Sequence, residues 1–381
     1  MAKTVSRKRV TFPGISSRAW EHPADRSALV ALRAVPGFDT VLKALAGLFR
    51  ERKHRLIFLA SAVRVSDRQF AEIDRLFSEA LQVLDSPRRP ELYVWQSPQA
   101  NAQCIGMDEP FIVITTAMLD LLDDPDEVRC VLGHEIGHAM SGHAVYQTML
   151  NHLLRVADNL GWLPLGGLAL RAIVAALYEW SRKSELSADR AGMLVAQDPQ
   201  VALRVKMKMA GGASLGKMDT VAFLEQAADY EAAGDIRDGV LKLMNVERQT
   251  HPFSVVRAAE IRKWVEGGEY QKIMTGDYPR RADDSKASIA DEIKAAARSY
   301  RDGFAASTDP LAQSARGVGR DFGGAAQDIG QSLADSLGSL WRRFDPNQNG
   351  GTADNTTAAT DADTDTDTGK GTGKGKRPKS S

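Results

Sequence analysis

Apolar residues recur at three- and four-residue spacing over 27–63, where Val41, Leu42, Leu45, Leu48 and Phe49 would share one side of a helix. A second amphipathic helix is expected over 66–84, with Phe70, Ile73, Leu76, Phe77, Leu81 and Leu84 along one face. Ser86-Pro87-Arg88-Arg89-Pro90 breaks that pattern. Two short runs rich in β-formers, 92–95 and 111–115, predict strands joined by a polar connection. Asp123-Asp124-Pro125-Asp126-Glu127 then opens a helix, since proline suits a first turn and acidic side chains suit the positive N-terminal end. That helix runs to about Ser141 and stops near Gly142, a natural C-terminal cap.

The stretch 160–178 is nearly as long and apolar as a membrane span, but Pro164, Gly166-Gly167 and Arg171 interrupt it. The pattern favours a buried helical hairpin or a membrane-surface segment over a membrane span. A helix over 179–196 ends before Asp198-Pro199, and 201–274 reads as further helices, broken near Gly211-Gly212 and at Thr250-His251-Pro252. Residues 283–344 are helical but rich in glycine, and Ile329, Leu333, Leu337, Leu340 and Phe344 trace an apolar stripe. From 347 to 381 there is no large apolar side chain to offset the entropy of ordering, so a disordered tail is expected.

Four segments result: a basic N-terminal arm and helix over 1–60, a main domain over 61–280, a helical glycine-rich extension over 281–346, and the tail over 347–381. The first 25 residues read as polar, basic and loose. Lys plus Arg and Asp plus Glu each number 49, so no global field for nucleic acid exists, and no nucleic-acid partner is expected. Two cysteines imply no disulfide framework. The first 25 residues lack the apolar core of a signal peptide, which predicts a cytoplasmic protein, with peripheral membrane contact through 160–178 or 329–344 as a further possibility.

The chemistry concentrates in His134-Glu135-Ile136-Gly137-His138. Side chains four apart project from one helical face, and two imidazoles so placed can reach a single Zn²⁺ at roughly 2.0–2.1 Å. Glu135 is then directed at the attacking water and can take its proton. Two ordinary core histidines with a carboxylate between them would need hydrogen-bond partners that Val131, Leu132 and Ile136 cannot supply. A third protein ligand is required, and His143, His152, Glu179 and Glu185 are candidates. His143 follows His138 by five residues, about 140° round a continuous helix, and is expected to face away. Glu185 is the best placed, with Asp189 four residues on to accept a hydrogen bond from a metal-bound imidazole. Taken alone, that pair reads more simply as two solvated acids on an exposed helix. Cys130, one turn before His134, reads as a buried apolar thiol.

The HEIGH motif followed by SRKSELSADRAG resembles the M48 family of zinc metallopeptidases. Asn101-Ala102-Gln103-Cys104-Ile105-Gly106 resembles the family's Asn-Ala-x-x-x-Gly segment, and Thr250-His251-Pro252 with Arg257 resembles its Thr-His-Pro…Arg segment. The resemblance spans about residues 65–265. It implies a mostly helical α+β fold of the zincin type, with a small sheet beside the HExxH helix. It implies one Zn²⁺ held by His134, His138 and Glu185, with Glu135 as general base. It implies that Asn101, Ala102 and Gly106 bind an extended polypeptide backbone by strand addition. His251 would steady the oxyanion of the tetrahedral intermediate or occupy the open zinc position at rest. The expected function is endoproteolysis of extended or unfolded polypeptides in quality control. The alternatives are a zinc-bound scaffold or chaperone-like binder, against which the intact Glu135 argues, and a hydrolase of small amides.

Overall fold

The computed structural model describes residues 8–33, 38, 51–160, 166–232 and 253–284. A four-stranded mixed sheet lies among helices. Its order is β1 (Val63–Arg64), β2 (Leu92–Trp95), β4 (Phe111–Thr115), β3 (Ala102–Ile105). β2 runs parallel to β4, and β1 and β3 are antiparallel to their neighbours. Strand side chains alternate between two faces. Val94, Ala102, Cys104, Ile112 and Ile114 enter the main core with Leu76, Phe77, Leu132 and Ile136. Tyr93, Phe111 and Val113 form a smaller cluster beneath Phe58.

Helices α1 (Pro23–Arg33) and α2 (Glu51–Ser61) agree with the helical pattern expected over 27–63; the 41–49 part of that stripe lies outside the described residues. Val63 is strand rather than helix because it pairs with Val94, a contact no local period foretells. Helix α3 (Ala71–Val83) starts later than expected: Ser66 and Gln69 close a turn, and Phe70 adopts a left-handed φ of 55°. After a short α4 (Thr116–Leu121), α5 (Pro125–Met140) carries the HExxH motif. Asp124 caps it, its Oδ1 accepting the Asp126 backbone N–H at 2.9 Å, with Pro125 in the first turn.

Helices α6 (His143–Leu160) and α7 (Gly166–Ala196) follow. α7 begins 13 residues before the expected 179, so Arg171 and the apolar residues around it belong to one continuous helix. Its Ile173, Leu177 and Trp180 are spent on a second core with α1 and α6, including Leu32, Met149 and Leu153. Burial there outweighs the local glycine and arginine signals. Helices α8 (Pro199–Gly211), α9 (Thr220–Ala232), α10 (Ser254–Glu266) and α11 (Glu269–Met274) complete the described chain, with the break at Gly212, φ +85°, as expected. The 329–344 stripe and the 347–381 tail lie outside the described residues.

Residues 8–22 are not loose. Phe12, Ile15 and Trp20 are fully buried in the main core, and the Ser16 N–H donates to the Pro279 carbonyl while the Arg281 N–H donates to that of Gly14. Three large apolar side chains inside the polar run account for the docking.

Candidate active site and metal centre

α5 and α7 pack against each other more extensively than any other pair of described helices. Glycine makes the approach possible. A Cβ on Gly137 would stand 2.6 Å from the Ala191 Cβ, and one on Gly192 would stand 2.6 Å from the Cys130 carbonyl oxygen. The two helices therefore touch nearly backbone to backbone, which brings Glu185 under the histidine pair.

His134 Nε2 and His138 Nε2 lie 3.1 Å apart, and the Glu185 carboxylate oxygens lie 3.4 and 3.3 Å from them. All three side chains are buried, with their ligand atoms within 4.8 Å of one another. Two imidazoles and one carboxylate make a donor set that suits a borderline divalent cation such as zinc. Burial pushes the His138 imidazolium down to about 3, against the pull of Glu185, so the ring is neutral and its lone pair is available near neutral pH.

Three charged side chains back these three groups. Asp189 Oδ1 lies 3.0 Å from His134 Nδ1. Arg257 donates through Nε and Nη2 to the two Asp189 oxygens, both at 2.6 Å, and its Nη1 lies 2.9 Å from Glu185 Oε2. Lys206 Nζ reaches the same Asp189 oxygen at 2.6 Å. Burial would raise the Asp189 carboxyl, but Arg257 and Lys206 hold it well below the usual carboxylate range. Burial and the neighbouring guanidinium lower Lys206 despite the attraction of Asp189.

Glu135 is buried and lines a cavity with His134, Ala102, Val131, Val205 and Ile261. The cavity thus joins the HExxH carboxylate to β3, one of the two outer strands of the described sheet. Asn101 precedes β3; its N–H donates to Thr115 Oγ1 and its carbonyl accepts the Thr115 N–H, both at 2.9 Å, while Gly106 follows the strand with φ +131°, its N–H 3.3 Å from Thr148 Oγ1. Cys130 lines the same cavity, and burial pushes its thiol up to about 12, which suits an inert core residue. His251 lies outside the described residues.

One expectation fails. His143 does not face away: its ring centroid lies 5.1 Å from that of His138, and the two Nδ1 atoms are 3.0 Å apart. The angular extrapolation assumed an unbroken helix, whereas α5 ends at Met140 and Gly142 turns the chain with φ +71°. Lys206 and Asp25 also carry contacts that spacing could not reveal, because their partners are remote in sequence.

The sequence matches Peptidase family M48 over residues 67–265. The chain belongs to that family. A plastoglobule-localized metallopeptidase 48 of Arabidopsis thaliana is 35% identical over 268 residues, covering 69% of this chain and 77% of the relative. The human mitochondrial metalloendopeptidase OMA1 is 29% identical over 119 residues, 28% of this chain and 22% of its own. Protease HtpX of Thioalkalivibrio sulfidiphilus is 26% identical over 191 residues, 43% and 61% respectively. No significant match to a solved structure is found. This M48 member is a metalloendopeptidase, a hydrolase of peptide bonds, and its α+β fold is mostly helical with the small sheet beside the HExxH helix. Among the described residues, no helix is long and apolar enough to cross a membrane.

Proposed function

We propose that this metalloendopeptidase is a zinc enzyme that cleaves extended segments of unfolded polypeptides, in a protein quality-control role. The observation that carries the reading is the convergence of His134, His138 and Glu185 beside a cavity shared by Glu135 and edge-strand residue Ala102. Bound zinc would act there as a Lewis acid, polarising the scissile carbonyl and acidifying water. Glu135 takes the proton of the attacking water and returns it to the leaving amine. β3 supports substrate in extended form, since strand addition reads backbone and tolerates varied side chains. Asn101 and Gly106 set the ends of that strand, and Asp189 holds the His134 ring. His251 is the candidate to steady the oxyanion. Two buried free cysteines fit a reducing compartment such as the cytoplasm.

Glu135→Gln separates a catalyst from a binder. The ligands are untouched, so elemental analysis should find zinc retained. Peptide hydrolysis should fall by about 10²–10⁴, the usual contribution of a general base. Hydrolysis at the wild-type rate would remove Glu135 from the mechanism. A zinc-loaded wild type that cleaves no unfolded protein would favour a chaperone-like binder.

A further inference from the structure

The two histidines of the metal centre are steadied from behind by unlike devices. His134 Nδ1 faces the Asp189 carboxylate directly, at 3.0 Å. His138 Nδ1 instead faces a second imidazole, His143 Nδ1, at 3.0 Å. His143 Nε2 lies 3.1 Å from Asp25 Oδ2. Ser187 Oγ donates to that same oxygen at 2.6 Å and accepts the His22 backbone N–H at 2.9 Å. His138, His143, Asp25 and Ser187 are all buried, and Trp180 packs edge-on against the His143 ring at 5.5 Å. Asp25 belongs to α1, well before residue 67, where the family match begins.

Counting protons fixes every direction in this chain of contacts. A nitrogen that binds a metal must be unprotonated. His138 Nε2 is the nitrogen turned toward Glu185 and His134, so the ring proton sits on Nδ1. His143 Nδ1 must then accept, which puts the His143 proton on Nε2, where it donates to Asp25. The Gln147 amide lies 3.4 Å from His138 Nδ1, a longer contact than that to His143. The Ser187 hydroxyl is a second donor to Asp25 and keeps the carboxylate turned toward His143.

We propose that Asp25 and His143 form a carboxylate–imidazole relay that fixes the tautomer and ring orientation of His138, making the N-terminal flank of this chain part of its metal-binding apparatus. Both are positioning residues. The relay does for His138 what Asp189 does for His134, at one imidazole's remove. It rests on the reading of His138 as a ligand. The competing view is that the same contacts merely staple α1 to the catalytic helices, in which case they affect stability and leave the metal alone.

The test uses the full-length chain, with zinc affinity measured by competition against a chromophoric chelator. The visible spectrum of the cobalt-substituted protein and the unfolding temperature are recorded in parallel. Asp25→Leu and His143→Leu, which remove the acceptors, should each weaken zinc binding by about 10–100-fold, the usual effect of losing a ligand's hydrogen-bond partner, and should shift the cobalt bands. His143→Asn presents an oxygen that can accept from His138 Nδ1–H, and should recover much of the affinity lost in His143→Leu. Unchanged zinc affinity and cobalt spectra in folded Asp25→Leu and His143→Leu proteins would overturn the relay, however far the unfolding temperature moves. If His143→Leu does not fold, Asp25→Leu decides alone, because it is close to aspartate in size and presents no acceptor. His138→Ala is the control: wild-type zinc affinity there would mean that the ligand reading, and not the relay, has failed.

Discussion

Arg257 faces two buried carboxylates at once, and its neutral replacement would leave both short of a partner. Glu185 and Asp189 are each almost wholly buried, so neither can turn to water for compensation. Breaking a buried ion pair from one side typically costs about 3–5 kcal/mol. Metal-free Arg257→Met protein should therefore unfold at much lower denaturant than metal-free wild type. Saturating zinc should narrow the gap, because a cation beside Glu185 takes over part of the lost charge. A gap that zinc does not change would show that Arg257 serves Asp189 alone. At this scale the readable residues were those with a local period. His134, His138, Glu185 and Asp189 fall on four-residue spacings, which a helix converts into shared faces. His143 was misplaced by one left-handed glycine. Lys206 and Asp25 gave no signal, because a charged residue in a helix looks the same whether its partner is water or a buried polar group on another helix.

The crossing of α5 and α7 sets the distance between the histidine pair and Glu185. Gly137→Ala would place its methyl 2.6 Å from the Ala191 Cβ, so the helices must separate. Gly192→Ala is more severe, since its methyl would meet the Cys130 carbonyl, which cannot rotate away. Overpacking of this kind costs about 1–3 kcal/mol, and a spread of a few tenths of an ångström also loosens the donor set. Both variants should melt earlier and retain less zinc on dialysis, Gly192→Ala the more so. Full zinc retention in both would mean that helix separation does not set the metal site. The helices themselves were legible from apolar periodicity, and α5 from its capping residues. The start of α7 and strand β1 were not, because burial against α1 and α6 and pairing with Val94 are tertiary effects.

On the scale of the whole molecule, the segments flanking the family match hold each other and the core. His22 Nε2 lies 3.3 Å from Glu260 Oε2, tying the N-terminal flank to α10. The His22 contact, outweighing burial, lowers the Glu260 carboxyl from 4.5 to about 2. A depressed carboxylate stabilises the fold above its unfolded value, and that stability is lost as pH falls toward the folded value. In metal-free protein, the unfolding temperature of wild type should exceed that of Glu260→Gln above pH 4.5, and the difference should vanish toward pH 2. A difference that persists at the acid end would rule out this contact as its source. Composition had marked residues 8–22 as a polar arm, and it hid the three apolar anchors that dock them. Those anchors are covered from the far end of the described chain: Tyr278 packs edge-on against Phe12, and the Arg281 guanidinium donates to the Ile15 carbonyl 266 positions away. On a ribosome adding roughly 5–20 residues per second, Ile15 emerges roughly 13–53 s before Arg281 does. For that interval Phe12, Ile15 and Trp20 lack their final cover, so the N-terminal flank cannot finish docking until the chain has been made past residue 281.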